Sequence, residues 1–119
     1  MKSYTDLGQS RKLAEILPIE SADMRYAPFE DIHPWVWDGE VKLLEKDSVP
    51  CWSLAALFSL IKDKCGYFEF VYLKQTFDGR ANRLEDVYRL STDVYDVYNK
   101  EAVDACYEMV LKLHEQKLL

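Results

Sequence analysis

The fold is decided by the stretch YFEFVYLKQT, residues 67–76. Aromatic and β-branched residues dominate it, and such residues favour strands. Successive side chains of a strand point to opposite faces, so Phe70 and Tyr72 share one face while Val71 and Leu73 share the other. The stretch therefore predicts a β-strand with apolar residues on both of its faces.

The chain after this stretch is predicted to turn back and form an antiparallel partner strand. The dipeptide Asp78-Gly79 follows Phe77 and is typical of a tight turn, since both central residues of a type I′ turn need a positive φ. A return strand is predicted over residues 83–90, and a turn at residues 91–93 predicts a third strand over residues 94–98. We expect these three strands to be antiparallel neighbours.

An earlier hairpin is predicted by a second Asp-Gly dipeptide, Asp38-Gly39. Residues 32–37 and 40–44 would be its paired strands. Pro34 has no N–H to donate to a neighbouring strand, so the first of these strands belongs at the edge of a sheet.

A short N-terminal helix is predicted over residues 5–17, where apolar residues recur at helical spacing. Thr5 or Asp6 would be its N-cap, and Pro18 would end it.

Two longer helices carry the main apolar stripes. The first spans residues 54–61 with Ser53 as its N-cap, and the second spans residues 100–116 with Asn99 as its N-cap. The stripe of the last helix consists of Ala102, Cys106, Met109 and Leu113.

These elements predict a single α+β domain covering residues 1–119. With 119 residues and 49% apolar content, the chain is long enough for one core and too short for two ordinary domains. We expect an antiparallel sheet of three to five strands, with the two main helices packed on one face and the short N-terminal helix at its border.

The composition restricts the partners that the chain could have. A formal net charge of −6 without a basic stripe disfavours direct binding of nucleic acid. The longest apolar run is far shorter than the ~20 residues that span a bilayer, so no membrane association is expected. Three cysteines and no apolar leader predict free thiols and a cytoplasmic location. A monomer is the default expectation, and the expected partner is an unidentified protein.

The order of elements resembles that of a known group of proteins. The resemblance rests on a turn of the Ser-Ala-Asp-Met type at residues 21–24, on PCWSL at residues 50–54, and on a terminal helix with AVDA at 102–105 and MVLKLH at 109–114. With these motifs the chain resembles small uncharacterised bacterial proteins carried on prophages and other mobile elements. The resemblance implies a genomic setting and no activity.

One catalytic hypothesis can be formed, around Cys51. The residue lies close to the predicted start of a helix, where backbone N–H groups can lower a thiol pKa and create a nucleophile. His33 and His114 are the only histidines, and nothing in the sequence ties either to this thiol. The alternative is a small buried apolar residue. The cysteine spacings match no metal-binding pattern, so neither a metal nor another cofactor is expected.

Two groups of aromatic residues are candidate binding surfaces. His33, Trp35 and Trp37 share one side of a predicted strand, and they either form an exposed platform or cover the core. The tyrosines of the C-terminal strands are candidates for an exposed sheet face. They are Tyr88, Tyr95 and Tyr98.

The functional hypotheses that follow belong to three classes. The first is a noncatalytic protein-interaction or accessory domain of a mobile element, and the second is a thiol-dependent enzyme that uses Cys51. The third is an acidic mimic of nucleic acid that inhibits a host enzyme, although Arg83, Arg89 and Lys100 interrupt the acidic stretch. That stretch contains Glu85, Asp86, Asp93 and Asp96.

Overall fold

The computed structural model describes residues 2–27, 30–36, 48–77 and 84–118. Over these residues the chain forms three α-helices, one 3-10 turn and six β-strands. The helices are α1 (Leu7–Ala14), α2 (Leu54–Cys65) and α3 (Ala102–Glu115), and the 3-10 turn is Ile19–Ser21. The strands are β1 (Met24–Ala27), β2 (Glu30–Val36), β3 (Val49–Cys51), β4 (Glu69–Phe77), β5 (Leu84–Ser91) and β6 (Asp96–Asn99).

The three C-terminal strands form one antiparallel sheet, the second sheet, in the order β4-β5-β6. Tyr72 lies opposite Tyr88, and Leu90 lies opposite Val97. This confirms the three predicted antiparallel neighbours. The turn at Asp78-Gly79 lies outside the described residues.

The first sheet has the order β2-β1-β3 and is also antiparallel. Pro34 lies in β2, which is an edge strand of the described sheet, as its missing N–H requires. The predicted turn at Asp38-Gly39 and its return strand over 40–44 lie outside the described residues. The α+β class is confirmed, and the six described strands are divided between two sheets.

The helix layer is centred on α3, whose predicted apolar stripe is buried. This helix crosses β5 and β6, and α2 packs along its side. Leu90 and Val97 are the buried residues that β5 and β6 contribute beneath α3. The buried residues of α3 are Ala102, Val103, Ala105, Cys106, Met109, Val110 and Leu113.

The start of α3 differs slightly from the prediction. The helix begins at Ala102, and Asn99 lies before it at the end of β6. The Asn99 side chain nevertheless accepts a hydrogen bond from the Glu101 backbone N–H at 2.9 Å. It therefore orders the turn that leads into the helix.

The N-terminal helix is held by a capping box. Asp6 accepts a hydrogen bond from the Gln9 backbone N–H at 2.8 Å, and the Gln9 side chain accepts one from the Asp6 backbone N–H at 3.1 Å. This confirms Asp6 as the N-cap, and the helix ends at Ala14.

A buried threonine joins the N-terminal segment to the first sheet. The backbone N–H of Thr5 donates to the Trp52 carbonyl at 2.9 Å, and the Trp52 N–H donates to the Thr5 hydroxyl at 3.1 Å. The same hydroxyl lies 2.7 Å from the Ser10 hydroxyl, while the Tyr26 hydroxyl donates to the Thr5 carbonyl at 2.8 Å. Elements distant in sequence are thus connected by satisfied buried polar groups.

The N-terminus of α2 is fixed by two side chains. The Ser53 hydroxyl accepts a hydrogen bond from the Ala56 backbone N–H at 3.1 Å, which confirms the predicted N-cap. Asp23 accepts hydrogen bonds from the Ser53 backbone N–H, at 2.9 Å, and from the Ser53 hydroxyl. The carboxylate therefore connects the segment before β1 to the start of α2.

Substitution of Ser53 with Ala is expected to lower the free energy of unfolding by about 1–2 kcal/mol, because both the cap and one bond to Asp23 are lost. Ser59→Ala is the matched control, since Ser59 is exposed on the same helix. Urea denaturation followed by circular dichroism measures the difference. Equal stability of the two variants would contradict this role of Ser53.

Candidate functional site

The second sheet has one face against the helix layer and one face directed away from it. Leu90 and Val97 point toward α3, so the residues adjacent to them in sequence point the other way. We call this opposite side the outer face. Its residues are Glu69, Val71 and Leu73 of β4, Val87, Arg89 and Ser91 of β5, Asp96 and Tyr98 of β6, and Tyr67 just before β4.

Apolar side chains surround Arg89 in the middle of the outer face. Leu73 lies opposite Val87, and Val71 lies opposite Arg89, which in turn lies opposite Tyr98. Tyr98 is 54% exposed, and the side chains of Val71, Leu73 and Val87 are less exposed than that but not buried. Aliphatic and aromatic surface is therefore presented side by side on a rigid antiparallel sheet.

An ion pair lies across this apolar region. The guanidinium of Arg89 is 2.7 Å from the Glu69 carboxylate. Its hydrogen bonds to that carboxylate and to the Tyr98 hydroxyl raise the pKa of Arg89 above its ordinary value. The Tyr67 hydroxyl donates to the other oxygen of Glu69 at 3.4 Å. These contacts hold the polar groups of the outer face in a fixed arrangement.

The inner face of the same sheet carries a continuous series of aromatic rings in contact with one another. Phe58 of α2 contacts Phe70 at 5.0 Å between ring centroids, Phe70 stacks on Tyr88 at 5.2 Å, and Tyr88 contacts Tyr72 at 5.1 Å. Tyr72 is at the exposed end of the series, with half of its surface accessible. Its hydroxyl donates to Asp86 at 2.5 Å, and this bond raises the pKa of Tyr72.

The three candidate tyrosines do not form one surface. Tyr98 lies on the outer face, and Tyr88 lies on the inner face within the stacked rings. Tyr95 is packed against the core, with the Lys112 ammonium 5.5 Å from its ring centroid. Of the three tyrosines, only Tyr98 therefore contributes to the outer face.

The other aromatic candidates belong to β2 and its continuation. His33 and Trp35 lie in β2, with the Trp35 backbone opposite Arg25 of β1. Trp37 lies outside the described residues, as do the side chains of His33 and Trp35. The aromatic platform stays a prediction.

Of the outer-face residues, the sequence indicated only Tyr98, and the aliphatic residues beside it were not predicted as part of a site. The sequence feature that indicates this face is the pattern of residues 67–76, in which apolar side chains occur at both odd and even positions. A strand that is covered on one side only needs one apolar set. The second set, Val71 and Leu73, therefore marked a face available for contact.

Cys51 has the surroundings of a structural thiol. It lies in β3 and is fully buried, and its sulfur is 3.4 Å from the Thr5 carbonyl oxygen, to which it donates. Burial raises the pKa of this thiol, which is the opposite of the shift that a nucleophile needs. Burial likewise raises the pKa of Cys106 to about 12.

The acidic residues near the third turn are spread over different surfaces. Asp86 is on the inner face beside Tyr72, whereas Asp96 is on the outer face opposite Ser91. Asp93 is in the turn between β5 and β6. These three carboxylates do not form a single negative stripe.

A groove of about 400 Å³ lies between the 3-10 turn and α2. Glu20, Asp23 and Asp63 border it, and its floor contains small residues such as Ala56 and Ser59. Asp23 already accepts two hydrogen bonds from Ser53. Over the described ranges, no group of three or more His, Cys, Asp or Glu side chains could hold a metal ion.

Comparison with known proteins does not place the chain in a family: no protein-family model, curated protein or solved structure matches it. None of the helices in the described part of the chain is long and apolar enough to cross a membrane. Over the described residues, the structural class is that of a small α+β domain with two antiparallel sheets.

Thiol labelling is expected to follow burial. In the native protein at pH 7.5, iodoacetamide should modify partly exposed Cys65 slowly, because burial raises the pKa of its thiol. Cys51 and Cys106 should react only after unfolding. Raising the pH toward 9 should speed the modification of Cys65, since more of its thiol ionises. Peptide mapping by mass spectrometry reads out each site, and faster labelling of native Cys51 than of Cys65 would contradict this assignment.

Proposed function

We propose that the protein is a noncatalytic protein-interaction module that binds its partner with the outer face of the second sheet. The observation that carries the proposal is the apolar group Val71, Leu73, Val87 and Tyr98 on the side of the sheet directed away from α3. Apolar surface of this kind, bordered by polar groups, is typical of a binding site.

The fixed ion pair supports the proposal. Arg89 and Glu69 are already bound to each other, so a partner that covers them meets a pair and not two isolated charges. Covering an isolated charge would be costly, whereas a paired one retains its stabilising contact. Tyr98 adds a half-exposed aromatic ring beside the pair.

The charges of the outer face indicate the chemistry of the partner. Asp96 and Glu69 lie toward one end of the face, and the chain as a whole carries a net charge of −6. A partner with an apolar centre flanked by Lys or Arg would complement this arrangement. Its association would slow as salt is raised, because screening weakens the attraction between the two surfaces.

The setting of this module follows from the resemblance to small bacterial proteins of prophages and mobile elements. We infer that it is an accessory factor of such an element and acts in the cytoplasm. The thiol-enzyme and nucleic-acid-mimic hypotheses have less support, because Cys51 is buried with a raised pKa and the acidic residues lie on different faces.

Tyr98→Lys is expected to reduce capture of the partner at least tenfold, because it replaces the exposed aromatic ring of the outer face with a charge. The immobilised protein is exposed to lysate of the source organism, and bound proteins are quantified by mass spectrometry. Leu118→Lys is the control, since Leu118 is an exposed apolar residue after α3.

Capture alone does not support the proposal. A bound protein counts as the partner only if Tyr98→Lys loses it and Leu118→Lys retains it. Partners that bind all three proteins equally would show that the outer face is not the binding surface.

A further inference from the structure

The groove between the 3-10 turn and α2 is not used by the proposed function. Its volume of about 400 Å³ is within the range of roughly 300–1,000 Å³ that is usual for ligand sites in proteins. The described residues that line it come from the 3-10 turn, from the two residues after that turn, and from α2. Because α2 belongs to the helix layer, the groove and the outer face are on separate parts of the surface.

The floor of the groove is formed by small and aliphatic side chains. Ala55 and Ser59 are four residues apart on α2, and Ala56 lies beside them, so these three share one side of the helix. Ala22 and Leu60, which are both buried, contribute further apolar surface. A partner can therefore bring an aliphatic group close to the backbone of α2.

The border of the groove is negatively charged on both sides. Glu20 and Asp23 lie on the side of the 3-10 turn, and Asp63 lies on α2. Among the described residues, neither Glu20 nor Asp63 has an ion-pair partner, and none of those that line the groove is basic. Lys62 and Lys64 are next to Asp63 in sequence, but successive residues of a helix point about 100° apart, so they face other sides of α2. The groove therefore has carboxylates on both sides and lacks a cation from the described chain.

We propose that this groove binds an arginine side chain carried by a short extended segment of a partner protein. The aliphatic stem of the arginine would lie on the floor, and its guanidinium would donate hydrogen bonds to the carboxylates of the border. A guanidinium has five N–H donors in a planar fork and is less strongly hydrated than the ammonium of lysine. It can therefore donate to carboxylates on both sides of the groove at a smaller cost in lost hydration.

The length of the groove limits the segment that it can hold. From Ala55 to Asp63, α2 rises about 12 Å at ~1.5 Å per residue. An extended chain covers this distance with about three to four residues at ~3.3 Å each. The occupant is thus a tripeptide or tetrapeptide stretch with the arginine near its centre.

Both the charge and the floor are needed for binding. An exposed ion pair contributes little by itself, because water screens the two charges and both side chains lose freedom. Covering the arginine stem adds the burial of apolar surface. It also removes water from around the carboxylates, which strengthens their attraction for the guanidinium. A change to either the border or the floor should therefore weaken binding.

The experiment is a titration of the isotope-labelled full chain with the peptide acetyl-Ala-Arg-Ala-amide. Changes in the NMR shifts of the Ala22, Ala56 and Ser59 amides report occupation of the groove and give the dissociation constant. The matched peptide has citrulline in place of arginine, which has nearly the same shape and no charge. Its dissociation constant should be at least tenfold larger.

Variants of the chain separate charge from shape. Glu20→Gln and Asp63→Asn should each raise the dissociation constant at least threefold, because each removes a carboxylate from one side of the groove. Glu115→Gln is the control, since it changes the net charge equally at an exposed position of α3 away from the groove. Ser59→Leu should abolish binding without a change in charge, because the longer side chain fills the floor. Circular dichroism establishes that all variants are folded.

The results expected above support the proposal when they occur together. A lack of saturable shifts with the arginine peptide overturns it, and so does binding that Glu115→Gln weakens as much as Asp63→Asn, or binding that survives Ser59→Leu. Arginine amide that binds as tightly as the peptide also overturns it, because the groove would then recognise a small cation and not a protein segment.

The groove does not rest on the proposed function, because it shares no residue with the outer face. Tyr98→Lys should therefore bind the arginine peptide as tightly as the unaltered chain does. Weaker binding by Tyr98→Lys would place the peptide on the outer face and overturn the groove as its site. Capture of the partner is measured separately, so either proposal can fail without the other.

Discussion

The burial of α3 is the constraint on which the rest of the structure depends. This helix hides seven residues against α2 and the second sheet, and a stripe of that size is stable in water only when it is covered. Leu90 of β5 and Val97 of β6 cover the helix. The even-numbered side chains of β5 therefore point toward α3, and so do the odd-numbered side chains of β6. The pleat then determines that Val87 and Tyr98 point away from it. The outer face is thus a consequence of how the core is filled.

Polar contacts attach the first sheet to this core beside the buried ring of Trp52. Thr5 binds Trp52 through both its backbone and its hydroxyl, and Asp23 binds Ser53 at the start of α2. A buried hydrogen bond contributes modestly on its own, but losing one partner leaves a polar group without compensation. These contacts therefore specify where the first sheet lies more than they add to stability. The apolar burial of α3 and the polar attachment of the first sheet have different roles in the same domain.

The parts of the fold that the sequence predicts correctly are those with local causes. Ser53 and Asp6 cap helices through bonds to residues three positions away, and residues 67–76 form a strand from their own alternation. β1 and β3 were not predicted, because a strand of three or four residues depends on pairing with distant partners. The site was harder to predict for the same reason. Tyr88 and Tyr98 look equivalent in sequence, but the register places Tyr88 opposite Asn99 and Tyr98 opposite Arg89, on different faces.

Trp52 connects the two parts of the molecule and has a spectroscopic consequence. Its indole is fully buried and donates to the Ser21 hydroxyl at 2.9 Å, while its backbone binds Thr5. Tryptophan emission shifts to longer wavelength when the ring meets water. Separation of the first sheet from the helices would admit water to this ring even if α3 kept its helical dichroism. In a Trp35→Phe/Trp37→Phe background, which removes the other two tryptophans, the fluorescence of Trp52 is thus a built-in reporter of the joint between the two sheets.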